Sequence, residues 1–144
     1  MIAIFPFAMD DLLQLDAQDN QCAAVAFARG LPAQNFVEVE AMSSYTIRYG
    51  DRVLACGGVF ELTPWRGLSW ILLGRDLGHK FIYVHRASLR LYAAVPYPRI
   101  EAEIDYEFEE GHRWARLQGF EMETARVRKY REDGGDITRY VMVR

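Results

Sequence analysis

Residues 68–105 read LSWILLGRDLGHKFIYVHRASLRLYAAVPYPRIEAEID, and this stretch decides the fold. Leu68-Ser-Trp-Ile-Leu-Leu73 is an apolar run without alternation, the pattern of a strand buried on both faces. From about Phe81 to Val95 the period changes to that of a helix. Phe81, Val84, Ser88, Leu91 and Val95 share one face, while His79, Tyr83, Arg86 and Arg90 share another. Pro96 and Pro98 stop the helix, since proline lacks the amide donor that helix continuation needs. Ile100-Glu-Ala-Glu-Ile-Asp105 then alternates, predicting a strand with Ile100, Ala102 and Ile104 inward. Strand, helix and strand in that order form a crossover unit, so the two strands are predicted parallel.

Upstream, Ile2 to Phe7 reads as a short strand, followed by a helix capped by Asp10 or Asp11 and carrying Leu12, Leu13 and Leu15. A second helical stretch, Cys22 to Ala28, ends at Arg29-Gly30, and Leu31 to Asn35 is a loop. Ser44–Tyr49 and Val53–Leu62 flank the turn Gly50-Asp51 as an antiparallel hairpin. Gly57 and Gly58 inside its second strand predict either a bulge or a close backbone approach. Downstream, Glu109 to Gln118 reads as a short helix closed by Gly119. Strands of about Glu121–Arg128 and Ile137–Val143 flank the turn Glu132–Asp136. No repeat, low-complexity tract or linker interrupts the 144 residues, which predict one domain over 1–144.

The composition, 51% hydrophobic and 26% charged, predicts a packed core. No apolar run approaches the twenty or so residues that span a bilayer, and the start MIAIFPFAMDD lacks a secretory pattern, so neither a membrane nor export is expected. Cys22 and Cys56 have no metal-ligand or disulfide spacing and suit a reducing cytoplasm. The net charge of −3 is uneven: residues 1–50 balance to −4, residues 51–100 to +4 and residues 101–144 to −3. A basic middle in an acidic chain is not a nucleic-acid footprint; it is either suited to a small phosphorylated ligand or ordinary surface variation.

This order of elements, with Arg75-Asp-Leu-Gly78-His-Lys80 between strand and helix, resembles the GNAT N-acetyltransferase superfamily. The resemblance implies a mixed, mostly antiparallel α/β sheet with a central parallel strand pair that splays, and flanking helices. It also implies that acetyl-CoA lies at that splay with its pyrophosphate on the helix N-terminus, where free N–H groups and the helix dipole favour an anion. Carried onto this chain, the cofactor-binding residues are Leu72, Leu73, Gly74, Arg75, Gly78, His79, Lys80 and Arg86, with Arg90 reaching a more distant phosphate. Lys80 stands where the family pattern has a small residue.

A second landmark of the superfamily, a helix ending in glycine and an aromatic residue, matches Gly119-Phe120. The tyrosine acid many such enzymes carry four residues before that glycine is Ala115 here, and an asparagine near the helix start is Phe108. Trp70, the basic helix, the acidic strand and Arg113-Trp114 to Gly119 are similar to a branch of the superfamily found as internal virion proteins of short-tailed phages.

Acyl transfer to an amine needs a base for the ammonium nucleophile. Glu101, Glu103 and Asp105 share one face of the 100–105 strand, and mutual repulsion there would raise a pKa. Glu103 and Asp105 are the leading candidates, followed by Glu61. The alternative is that this face meets water or pairs with arginines such as Arg113 and Arg116. His112 is either an acid in place of the missing tyrosine or a helix-surface residue. His79, His85 and His112 lack partners at metal-ligand spacing. Trp65, Trp70 and Trp114 read as core or rim packing, and no nucleophile elbow, P-loop or dinucleotide fingerprint is present.

Two functions follow from the resemblance. One is an acyl-CoA-dependent N-acyltransferase using acetyl-CoA, no metal, and a small-molecule or protein amine as acceptor. The other is a catalytically inactive phage component of the same fold, found in the virion or the host cytoplasm and partnered by other virion proteins. Either admits a homo-oligomer.

Overall fold

The computed structural model describes residues 1–19 and 43–144. The helical stretch expected at Cys22–Ala28, with Cys22 itself, and the loop expected at Leu31–Asn35 lie outside them. The elements are β1 (Ile2–Pro6), α1 (Met9–Gln14), β2 (Ser43–Tyr49), β3 (Arg52–Thr63), β4 (Arg66–Leu73), a 3₁₀ turn (Gly78–Lys80), α2 (Phe81–Ala94), β5 (Arg99–Asp105), α3 (Glu109–Leu117), β6 (Glu121–Val127) and β7 (Ile137–Val143). The strands follow the order β1-β2-β3-β4-β5-β7-β6 in one mixed sheet. Pairs β1–β2, β2–β3, β5–β7 and β6–β7 are antiparallel, and β4–β5 is parallel as the crossover predicts. No helix among the described residues is long and apolar enough to cross a membrane.

The chain divides into two compact units, residues 1–60 with 70–95 and residues 61–69 with 96–144. In the first, Phe7, Leu12, Leu15, Ala17, Val53 and Cys56 form a buried cluster, and Trp70 and Leu72 pack on it. Trp70 meets Phe7 edge-on at 5.3 Å and stacks on Phe60 at 5.7 Å, both favourable ring geometries. The N-cap of α1 is Ala8, not an aspartate. Asp11 instead reaches back from inside the first turn, where its carboxylate accepts the Ala8 N–H at 2.9 Å, the Thr46 hydroxyl at 2.7 Å and Arg48 at 2.6 Å. Burial alone would raise its pKa; these bonds hold it below the ordinary aspartate value.

Gly57 and Gly58 mark close approach. A Cβ on Gly57 would lie 2.8 Å from the Trp70 carbonyl oxygen, and one on Gly58 2.3 Å from that of Ser43. The register shift between β2 and β3 falls at Ile47/Arg48, where Leu54 is the extra residue of β3, away from the two glycines. β4 is not buried on both faces as expected: only Gly67 and Leu73 are buried, and the residues between are half-exposed. The reason lies partly above Ile71, which borders a cavity rather than a filled core.

In the second unit, β4 pairs with β5 from Arg66↔Arg99 to Ser69↔Ala102, and β5 continues to Asp105 against β7. Ile100 and Tyr140 are fully buried, and Ile137, Ala115 and Phe120 are buried as well. Gly119, at φ +99, turns α3 off, and the Phe120 N–H returns to the Ala115 carbonyl at 3.0 Å.

Candidate functional site

The segment between β4 and α2 lies within the first unit. Asp76 and Gly78 both adopt left-handed backbone, at φ 51 and 53, which turns the chain sharply into the 3₁₀ turn. The first internal hydrogen bond there runs from the Lys80 N–H to the Leu77 carbonyl at 3.0 Å. The Gly78 and His79 N–H groups precede it and so lack a helical partner. Neither the 3₁₀ turn nor α2 has a side-chain cap bond, and a Cβ on Gly78 would meet nothing within 4 Å. An anion fits such an uncapped, open helix start. The Lys80 ammonium lies 4.9 Å from the Tyr49 ring centroid, and His79 and Arg86 are exposed.

Other expected cofactor residues are already engaged. Arg75 pairs with Asp16 at 3.2 Å and with Asp19, and its carbonyl accepts Arg52. The peptide joining Leu73 to Gly74 is paired at both ends, with its carbonyl taking the Gln18 N–H at 3.0 Å and its N–H reaching the Leu54 carbonyl at 2.8 Å. Leu72 is half-buried on the cluster around Leu12. Arg90 lies in the second half of α2 and lines the cavity.

The β5 carboxylates lie within the second unit. Glu101 is only 5% exposed; Arg66 donates to it at 2.7 and 3.2 Å and Arg99 at 3.3 Å. The Arg66 guanidinium, more than burial can offset, holds the Glu101 carboxyl below the usual range. For Glu101 this is the reverse of the upward shift expected from crowding. Glu103 accepts the Tyr130 hydroxyl at 2.7 Å and lies 3.9 Å from Arg139, while Asp105 pairs with Arg131. The partners are thus Arg66, Arg99, Arg139 and Arg131, not Arg113 or Arg116. Arg116 instead lies over the Tyr140 ring at 5.9 Å. Glu61 is exposed beside Tyr97, whose phenol is pushed up by burial and by that carboxylate.

His112 is buried at 6% exposure, which corrects the surface reading. Its Nε2 lies 2.8 Å from the Tyr106 carbonyl and its Nδ1 2.9 Å from the Tyr140 hydroxyl. A carbonyl only accepts, so Nε2 carries the proton and, in the neutral ring, Nδ1 receives the tyrosine O–H. Ala115 is buried, and Phe108 packs against Gly111 at the start of α3. Among the described residues no group of His, Cys, Asp or Glu is placed to hold a metal.

Sequence reasoning missed Tyr130, Arg131 and Arg66 as partners of the carboxylates. Their only signal is aromatic and basic character beside a turn or a strand start, which many surface residues share.

With this geometry in place, comparison with solved structures identifies the fold. The chain matches Ard1 from Thermoplasma volcanium at 12% identity and TM-score 0.75, over 99% of this chain and 97% of that one. It matches a GNAT-family acetyltransferase from Bacillus cereus at 8% identity and TM-score 0.71, over 100% and 98%. It also matches a ribosomal-protein-alanine N-acetyltransferase from Escherichia coli at 12% identity and TM-score 0.70, over 99% and 94%. The fold is therefore that of the GNAT N-acetyltransferases. No protein-family model and no curated protein sequence matches the chain. At 8–12% identity these likenesses show the fold alone.

Proposed function

We propose that this chain, acting as one GNAT-like domain over 1–144, is an acyl-CoA-dependent N-acyltransferase with acetyl-CoA as donor. One observation carries the reading: Gly78, in left-handed backbone with open space above it, precedes an uncapped helix start at the place where this fold binds a pyrophosphate. Backbone N–H groups of Gly78 and His79 would hold the phosphates, and Lys80 would supply charge. Arg75, tied to Asp16 and Asp19, shapes the loop and adds charge only if those exposed partners release it. Leu72, Leu73 and Gly74 align the strand end, with the Leu73–Gly74 peptide already paired, and Arg86 offers a further cation along α2.

When bound, acetyl-CoA supplies the activated acyl group. The chain's own task is to take a proton from the acceptor ammonium. Glu103 is the base we favour, because the Tyr130 hydroxyl and Arg139 fix its carboxylate. Asp105, occupied by Arg131, and the exposed Glu61 follow. The acceptor is a small-molecule or protein amine.

A second reading, the fold kept without turnover and serving in a phage particle, is favoured by buried Ala115 in place of an acid. Thermal unfolding with acetyl-CoA tests the first. At a hundredfold excess over Kd, binding stabilises by about 2.7 kcal/mol. That raises Tm by roughly 6–10 °C in a chain of this size, and Gly78→Trp should abolish the rise. No shift at millimolar acetyl-CoA refutes the proposal; a shift without thiol release over a panel of amines selects the second reading.

A further inference from the structure

Under α2 the sheet face is incompletely covered. Pairings Ile4↔Ile47↔Ala55 and Tyr45↔Gly57 set two cross-strand rows on that face. With Ile71, Val84, Leu91 and small residues of α2 they line a cavity of about 250 Å³ that is partly open to solvent. The space exists because Ala55, Gly57, Ala87, Ser88 and Ala94 are small, and Gly57 has no room for a side chain beside the Trp70 carbonyl. Its walls are almost wholly apolar. The Ser88 hydroxyl is spent on the Val84 carbonyl at 2.9 Å, and burial pushes the Cys56 thiol up to about 12, so it stays protonated.

One charge reaches the wall. Arg90 is exposed and makes no hydrogen bond or ion pair among the described residues, whereas Arg48, Arg66, Arg75, Arg99, Arg126 and Arg131 each hold a carboxylate. Near the C-terminal end of α2 the helix dipole alone would repel an anion, so only this guanidinium makes one welcome.

We propose that the cavity binds a small apolar carboxylic acid, its hydrocarbon body under α2 and its carboxylate on Arg90. The guanidinium fork matches a carboxylate, and the volume lies just below the range of about 300–1,000 Å³ that takes drug-sized ligands. Arg90 lies nine residues beyond Phe81, about 13 Å along the helix axis from its start. The inference therefore stands apart from the acyl-transfer reading.

Calorimetric titration with sodium octanoate, octanol and octylamine tests it. Octanoate should bind one per chain and octylamine should not. Arg90→Gln should weaken octanoate about tenfold or more while leaving octanol binding unchanged. Ala87→Phe should abolish octanoate and octanol binding. Ala94→Phe, at an exposed wall position, repeats that block should Ala87→Phe fail to fold. Absence of octanoate binding at millimolar concentration, equal binding by Arg90→Gln, or octylamine binding as tight as octanoate overturns the proposal. So does a dimer that Ala94→Phe dissociates, since a second copy would then cover the cavity.

Discussion

Replacing Glu101 by glutamine keeps the shape of the side chain and removes its charge from between two arginines. The carboxylate is 6% exposed, but the side chains of Arg66 and Arg99 are 39% and 29% exposed. Breaking a fully buried pair costs about 3–5 kcal/mol and breaking an exposed one about 0–1. Here one partner is dry and two are partly wet, and Arg99 keeps Glu123 at 2.5 Å, so about 2 kcal/mol is expected. That corresponds to a fall of roughly 1 M in the urea midpoint. The sign with pH follows from the lowered pKa in the folded state. The carboxylate's contribution is fully present above its unfolded value of about 4.3 and fades as pH falls through the folded value. The gap between wild type and Glu101→Gln should therefore be widest near neutrality and close at acid pH. Urea unfolding at pH 7 and at pH 3 measures both. Equal midpoints at pH 7, or a gap undiminished at pH 3, would refute the reasoning.

Gly58→Ala should cost roughly 2–3 kcal/mol in the same assay, because the added carbon would lie 2.3 Å from a backbone oxygen and force β2 and β3 apart. A neutral result would show that the strands are not in that contact. Tyr140→Phe strips His112 Nδ1 of its donor in a buried site and should destabilise by about 1–3 kcal/mol, read as a lowered midpoint. Cys56, 1% exposed with its thiol pushed up to about 12, should resist alkylation in the native chain and react only on unfolding, as peptide mass mapping would show.

The crossover was legible because its signals are local. Apolar continuity at 68–73, helical spacing from Phe81 and the stop at Pro96 all lie within one stretch, and β7 falls at the predicted 137–143. The cap of α1 was not legible: Asp10 and Asp11 fit the usual cap chemistry, but Ala8 takes the position and Asp11 serves it from within the turn. The turn into α2 was legible, since the glycine at 78 stands where the chain takes up left-handed backbone before the helix. What the sequence could not give is pairing across distance. Arg66 and Glu101 are 35 positions apart, as are Thr46 and Asp11, and Arg75 meets Asp16 across 59. Whether three carboxylates on one strand repel or are neutralised depends on such partners, and alternation alone is silent on them. The same holds for His112 on α3, whose partner Tyr140 lies 28 positions away on β7.

The central claim is that the start of α2 receives the phosphates of acetyl-CoA. Backbone amide shifts followed by nuclear magnetic resonance during titration with coenzyme A test it most directly. The account predicts that the largest saturable changes fall at Gly78, His79 and Lys80. Their absence at millimolar ligand, or their concentration elsewhere in the chain, would contradict it.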